Sequence, residues 1–173
     1  KSLGNIIDPL EIIEKYSADS LRYSLISLTS TGQDVFLCEQ KFQQGRNFAN
    51  KLWNASRFSL MNLEGFLESE ARKTGLCVHF KKENLPLADR WILSEFYSML
   101  GSLDKALANY RFNEAANILY EFIWHKFCDW YIELIKPVLT AKDDYKNLLN
   151  TQLVLHKILE KTLRCLHPFM PFI

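Results

Sequence analysis

The sequence predicts an all-α protein built as a helical bundle, and three observations carry that prediction. Apolar residues recur at intervals of three and four along most of the 173-residue chain, the spacing that lines one face of a helix. Only 6 Gly and 5 Pro interrupt it, which favours long elements over many short strands. Hydrophobic residues make up 48% and aromatics 13%, enough to fill a sizeable core without disulfides or metals.

The elements follow in order. Asp8-Pro9 opens a first helix, because Asp accepts from the open amides of the first turn and Pro fits the first helical position. It runs through Lys15 and carries Leu10, Ile12 and Ile13. Ser17-Ala18-Asp19 opens a second helix, with Leu21, Leu25 and Leu28 expected toward a core. Thr29 to Asp34 is rich in residues that compete with helical hydrogen bonds and reads as a loop. A longer third helix is predicted from about Glu39 to about Leu63.

Residues 65–85 contain Gly65, Gly75 and a Lys/Glu mixture and read as a surface connection, with an extended stretch at Val78 to Phe80 and a solvated charged run at Lys81-Lys82-Glu83. Periodicity returns near Leu87 and continues to Tyr110 through Trp91, Ile92, Phe96, Met99, Leu103 and Leu107. A further helix is predicted from about Phe112 to Ile135, stopping at Pro137, whose ring removes a backbone donor. The last runs from about Tyr145 to His167 and stops at Pro168, with Leu149, Leu153, His156, Leu159, Leu163 and Leu166 along one side.

The formal net charge of +1 neither favours nor excludes nucleic acid, since binding depends on where charges sit. Cys38, Cys77, Cys128 and Cys165 are widely spaced with no CxxC pair, so reduced thiols in the cytoplasm are expected rather than a zinc site or a disulfide framework. No apolar run reaches the length of a membrane span, and no signal peptide precedes the first element. The chain starts without Met and ends within the apolar Pro171-Phe172-Ile173, so both ends read as boundaries within a longer chain.

The third helix is the most informative segment. From Gln40 to Leu63 it has no acidic residue, yet it carries Lys41, Arg46, Lys51 and Arg57. At about 100° per residue, Asn47, Asn50, Lys51, Asn54, Arg57 and Phe58 fall within an arc of roughly 120°. The apolar set Phe42, Phe48, Ala49, Leu52, Trp53, Ala55, Leu60 and Leu63 takes the remaining side. Amides can pair with a base edge through donor and acceptor, cations reach phosphates, and Phe58 offers a stacking face outside the core. From the pattern alone, a solvated helix face with an aromatic tucked under a loop accounts for the same residues.

Gly45-Arg46-Asn47-Phe48-Ala49-Asn50-Lys51-Leu52-Trp53-Asn54-Ala55-Ser56-Arg57-Phe58 closely resembles, without a gap, the GRNFxNKxWNAxRF block of the valyl-tRNA synthetase family. That resemblance implies the anticodon-binding bundle of the class I aminoacyl-tRNA synthetases. In the family this helix reads the middle and third anticodon bases, so the implied RNA-binding residues are Asn50, Lys51, Asn54, Arg57 and Phe58. Lys41 and Arg46 are implied at most as phosphate contacts.

Lys1-Ser2-Leu3-Gly4-Asn5 before Ile6-Ile7-Asp8-Pro9 is similar to the end of the KMSKS loop. The likeness implies for Lys1 a catalytic part on the phosphates of ATP, bound with Mg in the parent enzyme only. Ala18-Asp19-Ser20-Leu21-Arg22-Tyr23 and Gly32-Gln33-Asp34-Val35 resemble the family's ADALRF and GQDI blocks. Asp89 to Leu93, Tyr110 to Ala116, Phe127 to Glu133 and Leu166 to Ile173 resemble later ones.

The implied organisation is a KMSKS tail with connecting helices over 1–34 and the anticodon-binding bundle over 35–173. The implied partners are the tRNA(Val) anticodon stem-loop and a catalytic body in the same chain, with no cofactor held by this segment and no catalysis from it alone. Two other readings stay in view: the same domain of an isoleucyl-type synthetase, and a helical protein-interaction module. His125, Cys128 and Asp129 share one helical turn, but a metal needs three or four convergent ligands. His125 lies among Phe122, Trp124, Phe127 and Trp130, so the run from Tyr120 to Tyr131 reads as packing. His167 before Pro168 reads as satisfying a helix C-terminus.

Overall fold

A computed structural model describes residues 7–29, 37–66, 85–141 and 144–173. Lys1, the Gly32 to Val35 block, the extended stretch at Val78 to Phe80 and the charged run Lys81-Lys82-Glu83 lie outside the described residues. Among the described residues there is no strand. The helices are α1 (Pro9–Tyr16), α2 (Ala18–Leu28), α3 (Glu39–Leu63) and α4 (Leu87–Ala108), then α5 (Phe112–Tyr120), a π-helical segment (Glu121–Tyr131), α6 (Ile132–Thr140) and α7 (Tyr145–Leu166).

The capping chemistry begins where the sequence puts it. The Asp8 carboxylate accepts from the Leu10 amide at 2.8 Å ahead of Pro9. Ser17 serves two helices: its amide donates to the Ile13 carbonyl at 2.9 Å, and its hydroxyl accepts from the Ser20 amide at 3.3 Å. Asp144 opens α7 by accepting from the Asn147 amide at 3.1 Å, and His167 closes it, its amide donating to Leu163 at 2.9 Å.

Two expectations are corrected here. The buried side of α2 is Asp19, Ser20, Tyr23 and Ser24, whereas Leu25 is exposed and Leu21 and Leu28 are half-buried. The reason is a close crossing. Gly45 of α3 lies so near α2 that a Cβ there would sit 2.7 Å from both the Ser20 carbonyl oxygen and the Ser24 hydroxyl. Small polar residues let the two backbones touch, and the Ser24 hydroxyl donates to the Lys41 carbonyl at 2.9 Å. Pro137 does not end its helix either, since α6 continues to Thr140. Pro137 and Glu133 are both exposed, so water can satisfy the carbonyl that the missing donor leaves open.

The π-helical segment is the main departure from plain helical periodicity. The Ile132 amide reaches back to the Phe127 carbonyl, a five-residue step that widens the helix. Buried side chains follow that spacing, with Phe122 and Phe127 as one pair and Ile123 and Cys128 as another. They join Phe48 and Leu52 of α3, Ile92 and Phe96 of α4, Leu119 of α5, Ile135 of α6 and Leu155 of α7 in one core.

Polar groups inside this core are paired across elements. Asp89 of α4 is fully buried and accepts from the Tyr131 hydroxyl at 2.7 Å and from the Thr151 hydroxyl at 2.7 Å. The last residues are tied back to α2. Arg22 donates to the carbonyls of Pro168 at 3.1 Å and Phe169 at 3.4 Å, and Asp19 accepts from the Phe172 amide at 3.0 Å.

Candidate nucleic-acid interface

The candidate surface lies on α3, whose inner side is fixed by burial of Phe42, Gly45, Phe48, Leu52, Ala55, Ser59 and Leu63. Their three- and four-residue spacing leaves the opposite side to solvent. Asn50, Asn54 and Arg57 are exposed there. No ion pair is formed by Arg57 among the described residues, so its guanidinium is open to an incoming acceptor.

Lys51 and Phe58 sit on the flank of this face and are half-buried. The π-helical segment and α6 run beside them. Lys51 pairs with the Asp129 carboxylate, and its ammonium stands 3.9 Å from the centre of the Trp124 ring. Asp129 is also 3.3 Å from His125 Nδ1. Phe58 packs against the edge of the core, with the Lys136 ammonium 5.8 Å from its ring centre. Phe58 is thus only partly outside the core, and Lys51 is a cation already engaged, because the neighbouring helix closes over this edge of α3.

Lys41 and Arg46 stand elsewhere. With a rise of about 1.5 Å per residue, Lys41 lies roughly 20 Å before Asn54 along the axis. Lys41 lines a cleft of ≈ 400 Å³ with Tyr23, Gln44 and Tyr120. Arg46 donates to the Lys15 carbonyl at 3.5 Å. Both serve the end of α3 that faces α1 and α2.

Trp53 and Leu60 correct the wheel drawn from sequence. Each is 55% exposed rather than buried with the apolar set. Trp53 falls within about 40° of Arg57 on the wheel, so it belongs to the solvent face by angle; its residue type alone had assigned it inward. Trp130 is likewise exposed, unlike its neighbours Phe127 and Tyr131. That Asp129 is the partner of Lys51 had no sequence signal, since the two are far apart in the chain.

The thiol of Cys128 is buried, and burial pushes it up to about 12. Among the described residues, no group of three His, Cys, Asp or Glu side chains is arranged to hold a metal ion. Nor is any helix there long and apolar enough to cross a membrane.

Similarity to known proteins extends over the whole chain. The family of the anticodon-binding domain of tRNA ligases matches residues 89–173, and that of the class I tRNA synthetases (I, L, M and V) matches residues 1–38. Valine–tRNA ligases from Syntrophotalea carbinolica and Thermotoga maritima are each 47% identical over 100% of this chain and 18% of their own length. The Oceanobacillus iheyensis enzyme is 47% identical over 100% of this chain and 19% of its own. This chain therefore spans less than a fifth of these relatives.

Among solved structures, the LeuRS–tRNA–LeuAMS ternary complex of Agrobacterium radiobacter K84 matches with a TM-score of 0.68 at 18% identity. The match covers 99% of this chain and 18% of that one, and supports the fold. The chain belongs to the valine–tRNA ligase branch of the class I tRNA synthetases and contains their anticodon-binding domain.

Proposed function

We propose that this chain binds the anticodon stem-loop of tRNA(Val) through the outward face of α3, as part of an ATP-dependent valine–tRNA ligase. One observation carries the reading: α3 has no acidic residue from Gln40 to Leu63 and holds Asn50, Asn54 and Arg57 in solvent, on a chain 47% identical to valine–tRNA ligases. The amides supply paired donors and acceptors for base edges, and Arg57 supplies fixed donors for phosphate or base oxygens. Phe58 contributes the open part of its ring as a stacking surface. Lys51 joins them when RNA competes with Asp129 for its ammonium.

The catalytic body would bring ATP and Mg. Lys1 is the only residue of this chain implied in that chemistry, and it lies outside the described residues. Alone, this chain would bind rather than catalyse. Leu10, at 74% exposed, and the exposed Ile13 and Leu25 give α1 and α2 an apolar surface that the catalytic body would cover. An isoleucyl-type reading would make a different anticodon the better ligand.

The test is a fluorescence titration with a valine anticodon stem-loop and with one altered at the middle base, at low and moderate salt. Tighter binding to the valine loop is expected. Equal binding would reduce the role of α3 to electrostatic docking and would sink the sequence-reading claim.

A further inference from the structure

The aromatic ring on α3 that is most open to solvent is Trp53, 55% exposed. Phe58 is packed against the core edge, whereas Trp53 makes no contact with another ring or with a cation among the described residues. Its position is specific. At about 100° per residue, Trp53 and Phe58 stand roughly 140° apart on the helix, and Arg57, Asn50 and Asn54 occupy the arc between them. The polar strip is therefore bracketed by two rings.

Covering a solvent-exposed indole is favourable in proportion to the apolar area removed from water, and the charge pattern says what suits it. No carboxylate lies on α3 from Gln40 to Leu63, and Arg57, one turn beyond Trp53, forms no ion pair among the described residues. A ring beside an unpaired guanidinium and two amides fits an unstacked nucleobase with its phosphate. We infer that Trp53 is a second base-stacking residue, opposite Phe58, so that α3 holds two splayed bases of a single-stranded loop with Asn50, Asn54 and Arg57 between them. The inference rests on the reading of α3 as the RNA-binding face and adds the residue that grips the second base.

The experiment titrates the full chain and its Trp53→Ala, Trp53→Phe and Arg57→Ala variants with an unlabelled valine anticodon stem-loop, following tryptophan emission and, separately, affinity. Trp53→Ala should weaken binding by about tenfold or more, the loss of one stacked base, with thermal unfolding unchanged. Trp53→Phe should keep affinity within a few-fold. It should also lose most of the emission quenching seen on binding, although Trp91, Trp124 and Trp130 remain.

If Trp53→Ala lowers thermal stability, the Trp53→Phe quench decides: a full quench overturns the inference, and a diminished one supports it. Wild-type affinity in Trp53→Ala beside weakened Arg57→Ala would overturn the role of Trp53 while leaving α3 as the RNA face. Self-association abolished by Trp53→Ala, with RNA affinity untouched, would reassign the ring to a contact between protein chains. Failure of the wild-type chain to bind the stem-loop at low salt would overturn the RNA reading and the inference together.

Discussion

At the scale of single residues, the candidate site separates into groups that are free and groups already held. Among the described residues, Asn50, Asn54 and Arg57 stand exposed to solvent without a side-chain partner, while Lys51 is engaged by Asp129 and the Trp124 ring. Phe58 divides its surface between the core edge and solvent, so its removal should register twice. Phe58→Ala is expected to weaken stem-loop binding by about 1–3 kcal/mol, the range for one stacked base. It should also cost about 1–2 kcal/mol of stability, less than a fully buried Phe would. Paired RNA titrations and urea melts check this. A variant that loses stability but keeps its RNA affinity would return Phe58 wholly to the core. The sequence made Asn50, Asn54 and Arg57 legible because wheel angle alone places them. Trp53 was misplaced because its apolar type outweighed its angle, and the tether on Lys51 stayed hidden because Asp129 meets it only through tertiary packing.

At the scale of elements, most helices were legible from period and caps. The exceptions arose where backbone contacts decide. The α2–α3 crossing depends on Gly45, whose missing Cβ lets the Ser20 carbonyl and the Ser24 hydroxyl approach, and no periodicity of apolar residues encodes that. Gly45→Val should force the helices apart and cost about 1–3 kcal/mol, as overpacking does, with the loss visible in a urea midpoint. An unchanged midpoint would mean that α2 is free to shift. Apolar periodicity predicts ordinary helix across Glu121–Tyr131, whereas burial of Phe122 with Phe127 and of Ile123 with Cys128 has a five-residue spacing. Its Tyr131 hydroxyl, with that of Thr151, holds Asp89 and so joins α4, the π-helical segment and α7. Burial, partly offset by these two hydrogen bonds, raises the Asp89 carboxyl above its ordinary 3.8. The folded state therefore holds that proton more tightly than the unfolded state. The resulting stabilisation is full below about 4 and is lost as pH rises through the folded value. The stability of wild type relative to Asp89→Asn should thus fall from pH of about 4 toward neutrality, measured by urea unfolding at several pH values. A pH-independent difference would refute this.

At the scale of the whole molecule, a net charge of +1 gives no broad field to draw RNA in. Attraction has to come from local groups, and among the described residues of α3 they are few. Lys41 sits at the far end of α3 in a cleft beside α2, and Arg46 is bonded to the Lys15 carbonyl. Lys51 can release a counterion only by giving up Asp129, so its net electrostatic gain is small. Among the described residues, Arg57 is left as the principal unpaired cation of the candidate face. The salt dependence of stem-loop binding should therefore be shallow, equivalent to on the order of one or two phosphate contacts at about 0.7 per contact for single strands. Arg57→Ala should lower that slope by about 0.7 while leaving thermal unfolding unchanged. Affinity measured across a salt series for both proteins checks it. A steep wild-type slope that Arg57→Ala barely alters would move the phosphate contacts off α3, to cations on another face of the bundle. A shallow slope that flattens with Arg57 would mean that α3 binds mainly through base contacts, and that most of the electrostatic grip on a full tRNA comes from the rest of the enzyme.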